Sequence, residues 1–426
     1  ASGSAAALFV AAGRLWSAAP GQPARPLSPP GLDVAALAER APSMGLAPAW
    51  AISDARVAVK VRRPDGLRVA VLDRTTGQVL HDEGSAFAVS PRLDRALQLE
   101  RQGWTVRLRL TADAAPLLTL NAAWRHRPTA QVERFSYRAD GRDLTGWIVH
   151  PVGRTDDPPP ALVWIYGGQM QTAAPPRQSQ PSFAGSPIFS GQLWAARGYA
   201  VIYPSTPAPA AADADVADAL ARAAVAAVDA AAARNWVDPR RVGIIGHSFG
   251  GFSAAAVLTR RSDRFAAGVA MSGDYDYAAA WGLRGIWDWM QDDESHAFRE
   301  STVGQVETGQ ISLRAPPSAA PEAYRRASPF YAADQIRTPL LLTVGDLEPG
   351  ATGLAQAERF YAALTRSGNP AMLVRYWGQG HVQDEPWAVA DQWRRFNAWF
   401  ARYLGGPRPG RQRRAARARS GAWVCQ

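Results

Sequence analysis

The pattern of apolar and polar positions changes character along the 426 residues of the chain. Residues 1–50 are rich in Ala, Pro and Gly and read as irregular, with one short apolar core near the start. From 51 to 131 the texture is of short alternating segments. "ARVAVKVRRPDGLRVAVLDRTTGQVL" breaks at "RPDGL" and "RTTGQ", which are turn signals between strands. "WAISDARVAVKV" and "FAVSPRLDRALQL" share a spacing, so a β unit repeats here. A propeller blade takes about 40–50 residues. This stretch therefore holds two blades, three at most, too few to close a ring.

After residue 131 the pattern changes again. "VERFSYRADGRDLTGWIVHPVG" (132–153) predicts a hairpin turning at "ADGRD". Beyond it come the apolar runs "ALVWIYGG", "YAVIYPS", "VGIIG", "AAGVAMSG", "TPLLLTVG" and "AMLVRYWG". Unbroken apolar strands are what a sheet covered on both faces requires. Helical spacing occupies 211–235, 249–260, 353–368 and 386–404, and an irregular, Trp-rich stretch precedes "TPLLLTVG". Strand and helix alternate, which predicts an α/β fold with a doubly wound, mostly parallel sheet over 132–406.

Composition narrows the function classes. At 47% hydrophobic and 20% charged residues, the chain has ample material for a packed core. The single cysteine, Cys425, excludes a disulfide framework and a multi-cysteine metal site. It suits a cytoplasmic or a periplasmic protein equally. The net charge is +10, but "PRPGRQRRAARARS" (407–420) supplies six arginines and no acid, leaving +4 for the rest. Residues 407–426 read as a basic disordered tail, so the charge does not argue for a nucleic-acid partner. Lys60 is the one lysine, a skew of composition across the whole chain. No apolar run reaches the roughly 18 residues that would span a membrane. The start lacks a basic leader and does not begin with Met, and reads as a signal remnant or as the beginning of a fragment.

One motif carries chemistry. "GHSFGG" (246–251) follows an apolar strand and opens a helix. Gly-x-Ser-x-Gly in that setting is a nucleophile elbow: the glycines permit a crowded turn that lifts the Ser248 hydroxyl from the sheet edge. The Phe249 amide, at a helix N-terminus, then points where an oxyanion would form. A serine needs a base, and the chain has six histidines. His81 and His126 precede the α/β region, and His150 lies in the hairpin. His247 diverges from its neighbour on the elbow, and His296 reads as a surface residue. His381, in "YWGQGHVQDEP", follows the last strand, which is the chain order Ser, acid, His of α/β-hydrolases. For the acid, spacing leaves three candidates: Asp346 and Glu348 in "VGDLEPGATG", and Asp274 in "SGDYDY". Each also suits a turn or a cap.

These segments together resemble the prolyl oligopeptidase family of serine peptidases over about residues 132–404. "YRADGRDLTGWIVHPVG" is similar to the family's lead-in to its catalytic domain, and "WIYGGQMQ" to its oxyanion strand. "DPRRVGIIGHSFGG" is similar to its elbow, "RRASPFYAADQIRTPLLLTVGDLE" to its acid loop and "AERFYAALTRSGNPAMLVRYWGQGH" to its histidine segment. The resemblance implies an α/β-hydrolase fold with Ser248 as nucleophile, His381 as base and Glu348 as acid. It implies an oxyanion site from the Tyr166 hydroxyl and the Phe249 amide, with Tyr275 and Tyr277 walling a substrate pocket. The family usually has Asp where this chain has Glu348, and it normally carries a complete propeller that limits substrate size. The expectation is a serine peptidase acting on short peptides, needing no metal or cofactor. A carboxylesterase-like hydrolase is the first alternative, and an inactive remnant or binding module the second.

Overall fold

The computed structural model describes residues 6–39, 50–63, 66–82, 86–110, 115–153, 157–181, 185–207, 215–283, 302–348 and 353–405. The chain divides into two units, Ala1–Arg127 and Pro128–Gln426.

In the first unit, β1 (Ala7–Ala11), β2 (Arg14–Ala18) and β3 (Arg25–Pro26) form a small antiparallel sheet. A four-stranded meander follows: β4 (Val34–Leu37), β5 (Arg56–Arg63), β6 (Gly66–Asp73) and β7 (Val79–Asp82). A second holds β8 (Ala86–Val89), β9 (Ala96–Gln102), β10 (Thr105–Leu110) and β11 (Leu118–Leu120). Alternation along β5 explains the layering. Val57, Val59 and Val61 pack with Leu15 of the small sheet, while Ala58 faces Val89 and Ala96 of the second meander. The middle sheet is thus buried on both faces, as blades of an incomplete propeller are.

Residues 1–50 differ from the expectation of an irregular segment, since β1–β4 lie there. The apolar run near the start is β1, paired along its length with β2. Strands of two to five residues between Gly and Pro turns show too few alternations for the period to register in the sequence.

The second unit is built on one eight-stranded sheet. Its strands are β12 (Val132–Ala139), β13 (Arg142–Val149), β14 (Ala161–Trp164), β15 (Ala200–Tyr203), β16 (Val242–His247), β17 (Ala267–Met271), β18 (Leu340–Gly345) and β19 (Ala371–Tyr376). The spatial order is β12-β13-β15-β14-β16-β17-β18-β19. β12 and β13 form the expected hairpin, with Asp140 and Gly141 both at positive φ, the two-residue turn that matches strand twist. β13 runs antiparallel to β15, and the six strands from β15 to β19 run parallel. This is the α/β-hydrolase fold.

The helices are α1 (Gly191–Ala196), α2 (Val216–Ala233), α3 (Phe249–Arg261), α4 (Tyr277–Ala280), α5 (Thr302–Glu307), α6 (Pro321–Ala327), α7 (Leu354–Arg366) and α8 (Pro386–Leu404). Residues of α2, α3 and α7 bury into one face of the sheet, and Trp194 of α1 with Phe396, Trp399 and Phe400 of α8 into the other. Both faces of the inner strands are covered, so β14 to β18 are buried almost throughout, whereas the edge strands β12 and β19 keep exposed positions. No helix among the described residues is long and apolar enough to cross a membrane. His296 and the basic tail lie outside the described residues.

Candidate active site

The elbow is fixed by main-chain crowding. β16 is fully buried up to Gly246, and α3 begins at Phe249. Ser248 between them sits at φ 61°, ψ −126°, a backbone conformation that L-residues avoid and that costs on the order of 1–3 kcal/mol. Its amide donates to the Met271 carbonyl at 2.9 Å, and its carbonyl accepts from Gly251 and Phe252 at 2.8 and 3.1 Å. A Cβ on Gly246 would lie 2.1 Å from the Gly250 carbonyl oxygen, and one on Gly250 would lie 2.4 Å from that of Ile165. The turn therefore closes only with glycine at both positions.

The Phe249 N–H is at the first position of α3, where a helix supplies no acceptor of its own. Tyr166 leaves the end of β14 beside it, with its ring 5.8 Å from that of Phe249. The Tyr166 carbonyl accepts from the Thr206 hydroxyl at 2.6 Å, and Gly168 N–H donates to the Thr206 carbonyl at 2.7 Å. Gln310 donates its side-chain amide to the Tyr166 hydroxyl oxygen at 3.1 Å, which leaves the tyrosine O–H free to donate elsewhere.

The base and the acid stand on the loops after β19 and β18. His381 Nδ1 is hydrogen-bonded to Glu348 Oε1, whose carboxylate is fully buried. The other Glu348 oxygen, Oε2, accepts from Ser272 Oγ at 2.9 Å. Gln383 reaches the same hydroxyl at 3.3 Å and the Gly380 carbonyl at 2.9 Å, and Gln392 in turn donates to Gln383 at 2.7 Å. Of the three acids left open by spacing, Glu348 alone is bonded to His381. Asp346 accepts from the Gly378 N–H at 2.5 Å and lies 3.8 Å from Arg375, so it ties the two loops together. Asp274 keeps some solvent contact as a residue, yet its Oδ1 is sealed from solvent and has no partner among the described residues. Burial, reinforced by Glu348 and opposed by His381, pushes its carboxyl up to about 7.

His247, expected to diverge from Ser248 on the elbow, has its Nε2 2.6 Å from the His381 carbonyl oxygen. Burial, with His381 adding to it, depresses its pKa to about 4. The ring is thus neutral near pH 7, and Nε2–H is the donor to that carbonyl. Its ring lies 4.7 Å from that of His381. Among the described residues the Ser248 hydroxyl and His381 form no hydrogen bond, a looseness common in sites without substrate. The tyrosines separate. Tyr277 lines a cavity with Phe249 and Asp274, whereas Tyr275 stacks on Phe360 of α7 at 4.5 Å and belongs to the core.

His247, Ser272 and Gln383 were not identified by sequence. Ser272 left one trace, a serine directly after a buried strand in "MSGDY"; in the structure it takes φ 47°.

Comparison with known proteins places this geometry in context. The family described as the prolyl oligopeptidase family matches residues 189–407, a span that takes in Ser248, Glu348 and His381. A probable chloroplastic glutamyl endopeptidase of Arabidopsis thaliana is 31% identical over 258 residues, 57% of this chain. The chain spans 24% of that relative's length. An acylaminoacyl peptidase solved with Z-Gly-Gly-Phe-chloromethyl ketone superposes at TM-score 0.60 and 18% identity, over 93% of this chain and 60% of that one. A puromycin-hydrolyzing peptidase of Mycobacterium tuberculosis does so at TM-score 0.60 and 20% identity, over 93% and 59%. At such identities the structural likeness concerns the fold.

Proposed function

Since this chain belongs to the prolyl oligopeptidase family, we propose that it is a serine peptidase hydrolysing peptide bonds of short peptides through an acyl-enzyme. The observation that carries this reading is the His381–Glu348 pair on the loops that flank the Ser248 elbow. Ser248 Oγ attacks the carbonyl carbon while His381 Nε2 accepts its proton. Glu348, on Nδ1, holds the ring's tautomer and stabilises the imidazolium. Negative charge developing on the carbonyl oxygen meets the Phe249 N–H and the Tyr166 O–H, which stabilise it as hydrogen-bond donors. The C–N bond then breaks, and His381 returns the proton to the leaving amine. Water repeats the attack on the ester, again with His381 as base, and frees Ser248. A relative named as an endopeptidase and fold neighbours named as peptidases support amide bonds as the target.

The test is labelling with a fluorophosphonate probe, followed by peptide mapping. One adduct, on Ser248, is expected, lost in Ser248→Ala and His381→Ala. A folded chain that takes no label overturns the reading. Matched 4-nitroanilide and 4-nitrophenyl ester substrates of one acyl group then decide between bonds. Turnover of the ester alone would make this an esterase.

A further inference from the structure

Base and nucleophile stand on separate loops, and their spacing needs a cause. Several bonds tie the His381 loop to the loop of the acid. The Leu347 N–H donates to the Gln379 carbonyl at 2.9 Å, the Gly378 N–H donates to Asp346, and His381 itself is bonded to Glu348. These bonds join base to acid, and none of them reaches the elbow. They leave the distance from His381 to Ser248 to be set by something else.

His247 is placed to do this. It is the last residue of β16, in register with Met271 of β17, and directly precedes Ser248. From that strand end its Nε2 reaches the His381 carbonyl at 2.6 Å. Its ring lies 4.7 Å from that of His381 and 5.1 Å from that of Phe189, in the short turn Pro187–Phe189 before α1. The His381 carbonyl has a second donor, Gln383 Nε2, at 3.4 Å, but that amide also serves the Gly380 carbonyl and the Ser272 hydroxyl. The shorter and stronger bond is that of His247. Its charge state suits the position. Burial first, then His381, keeps the ring neutral near pH 7 against the opposing pull of Glu348. A neutral neighbour adds no repulsion when His381 takes up a proton, whereas a cation there would oppose it.

We propose that His247 is a positioning residue for the base: its Nε2–H, donated to the His381 carbonyl, holds the base loop against the nucleophile's strand, so that the His381 imidazole stands within reach of Ser248 Oγ. The inference rests on the hydrolase reading above and deepens it. The bond is to the main chain of His381 and to none of the reacting atoms. It should therefore bear on the chemical step, through the geometry of proton transfer, and not on substrate affinity.

The experiment separates the bond from the bulk of the ring. His247→Phe keeps a planar ring beside Phe189 and His381 and removes the donor. His247→Gln gives up the ring and keeps an N–H near the place of Nε2. Each is compared with the parent in the rate of fluorophosphonate labelling, in kcat and KM for a 4-nitrophenyl ester, and in melting temperature. The parent's own label on Ser248 tests the hydrolase reading, and the ratio of variant to parent tests this inference. His247→Phe should slow labelling and lower kcat by roughly 10- to 100-fold with KM unchanged. His247→Gln should come back to within about threefold of the parent. Full activity in His247→Phe, equal losses in both variants, or a loss confined to KM overturns the inference. His247→Asn repeats the test without a bulky ring, should His247→Phe melt well below the parent. Its amide stops short of the carbonyl, so it should lose as much as His247→Phe, and an Asn variant as active as the Gln variant overturns the inference too.

Discussion

On one side of the site, Ser248 and Phe249 are held by main-chain geometry. A strand ends, a turn at φ 61° follows, a helix begins, and two glycines make room for the crowding. On the other side, His381 and Glu348 are held by side chains. Glu348 bonds Ser272, Ser272 is reached by Gln383, and Gln383 is held by Gln392. The His381 carbonyl accepts from His247 at 2.6 Å and from Gln383 at 3.4 Å, and the His247 contact clamps the two sides together. The difference sets what each side tolerates. A main-chain device fails as a unit, because the strand, turn and helix that make it are also the sheet's core. A side-chain relay can lose one bond and keep the fold.

Substitutions on each side break this comparison. The largest effect is expected for Gly246→Ala. Its Cβ would meet the Gly250 carbonyl carbon and oxygen at 2.4 and 2.1 Å, and neither can move without shifting α3. Stability should fall by roughly 3 kcal/mol or more, and fluorophosphonate labelling should disappear with it. A scan of melting temperature beside the labelling gel checks both. A Gly246→Ala protein that melts as the parent does and labels fully would show that the elbow is looser than its geometry implies.

Next in size comes Glu348→Gln. The amide keeps the shape but loses the charge that stabilises the imidazolium, and it invites the wrong tautomer. The expected loss is about 10⁴-fold in kcat, with the melting temperature little changed. Steady-state kinetics against an ester substrate measure it. A loss under about tenfold would mean that another carboxylate serves His381, and Asp274 would be the one to examine.

The same division explains what could be read from the sequence. The elbow was legible because main-chain devices leave glycines at fixed offsets, and the five inner parallel strands because both-face burial leaves unbroken apolar runs. His381 followed from chain order. The acid stayed open because Asp346 and Glu348 lie two residues apart in one loop, and their difference is one of direction. Asp346 turns to Gly378 and Arg375, and Glu348 turns inward to His381. Tyr275 and Tyr277 show the same limit, one stacked on Phe360 and the other on the cavity. Ser272, Gln383 and His247 act across 111 and 134 residues of sequence, and no local pattern encodes such a pairing. In the first unit, strands of two to five residues fell below the length at which alternation is detectable.

The smallest predicted effect is the most informative about the side-chain relay. Ser272 touches none of the reacting atoms. It donates to the Glu348 oxygen that faces away from His381, so it is a positioning residue. Ser272→Ala removes one charge-assisted hydrogen bond and leaves the buried oxygen to Gln383 or to water. We expect roughly a tenfold loss in kcat with KM unchanged, since the bond bears on the orientation of Glu348 and not on substrate binding. A merely structural role would give the same loss whatever residue stands at 348. The relay gives a different result: in a Glu348→Gln background, Ser272→Ala should cost almost nothing further, because the carboxylate it orients is gone. Additive losses in the double variant would show that Ser272 supports the β17 turn alone, and the distinction between a main-chain side and a side-chain side would then lose its clearest member.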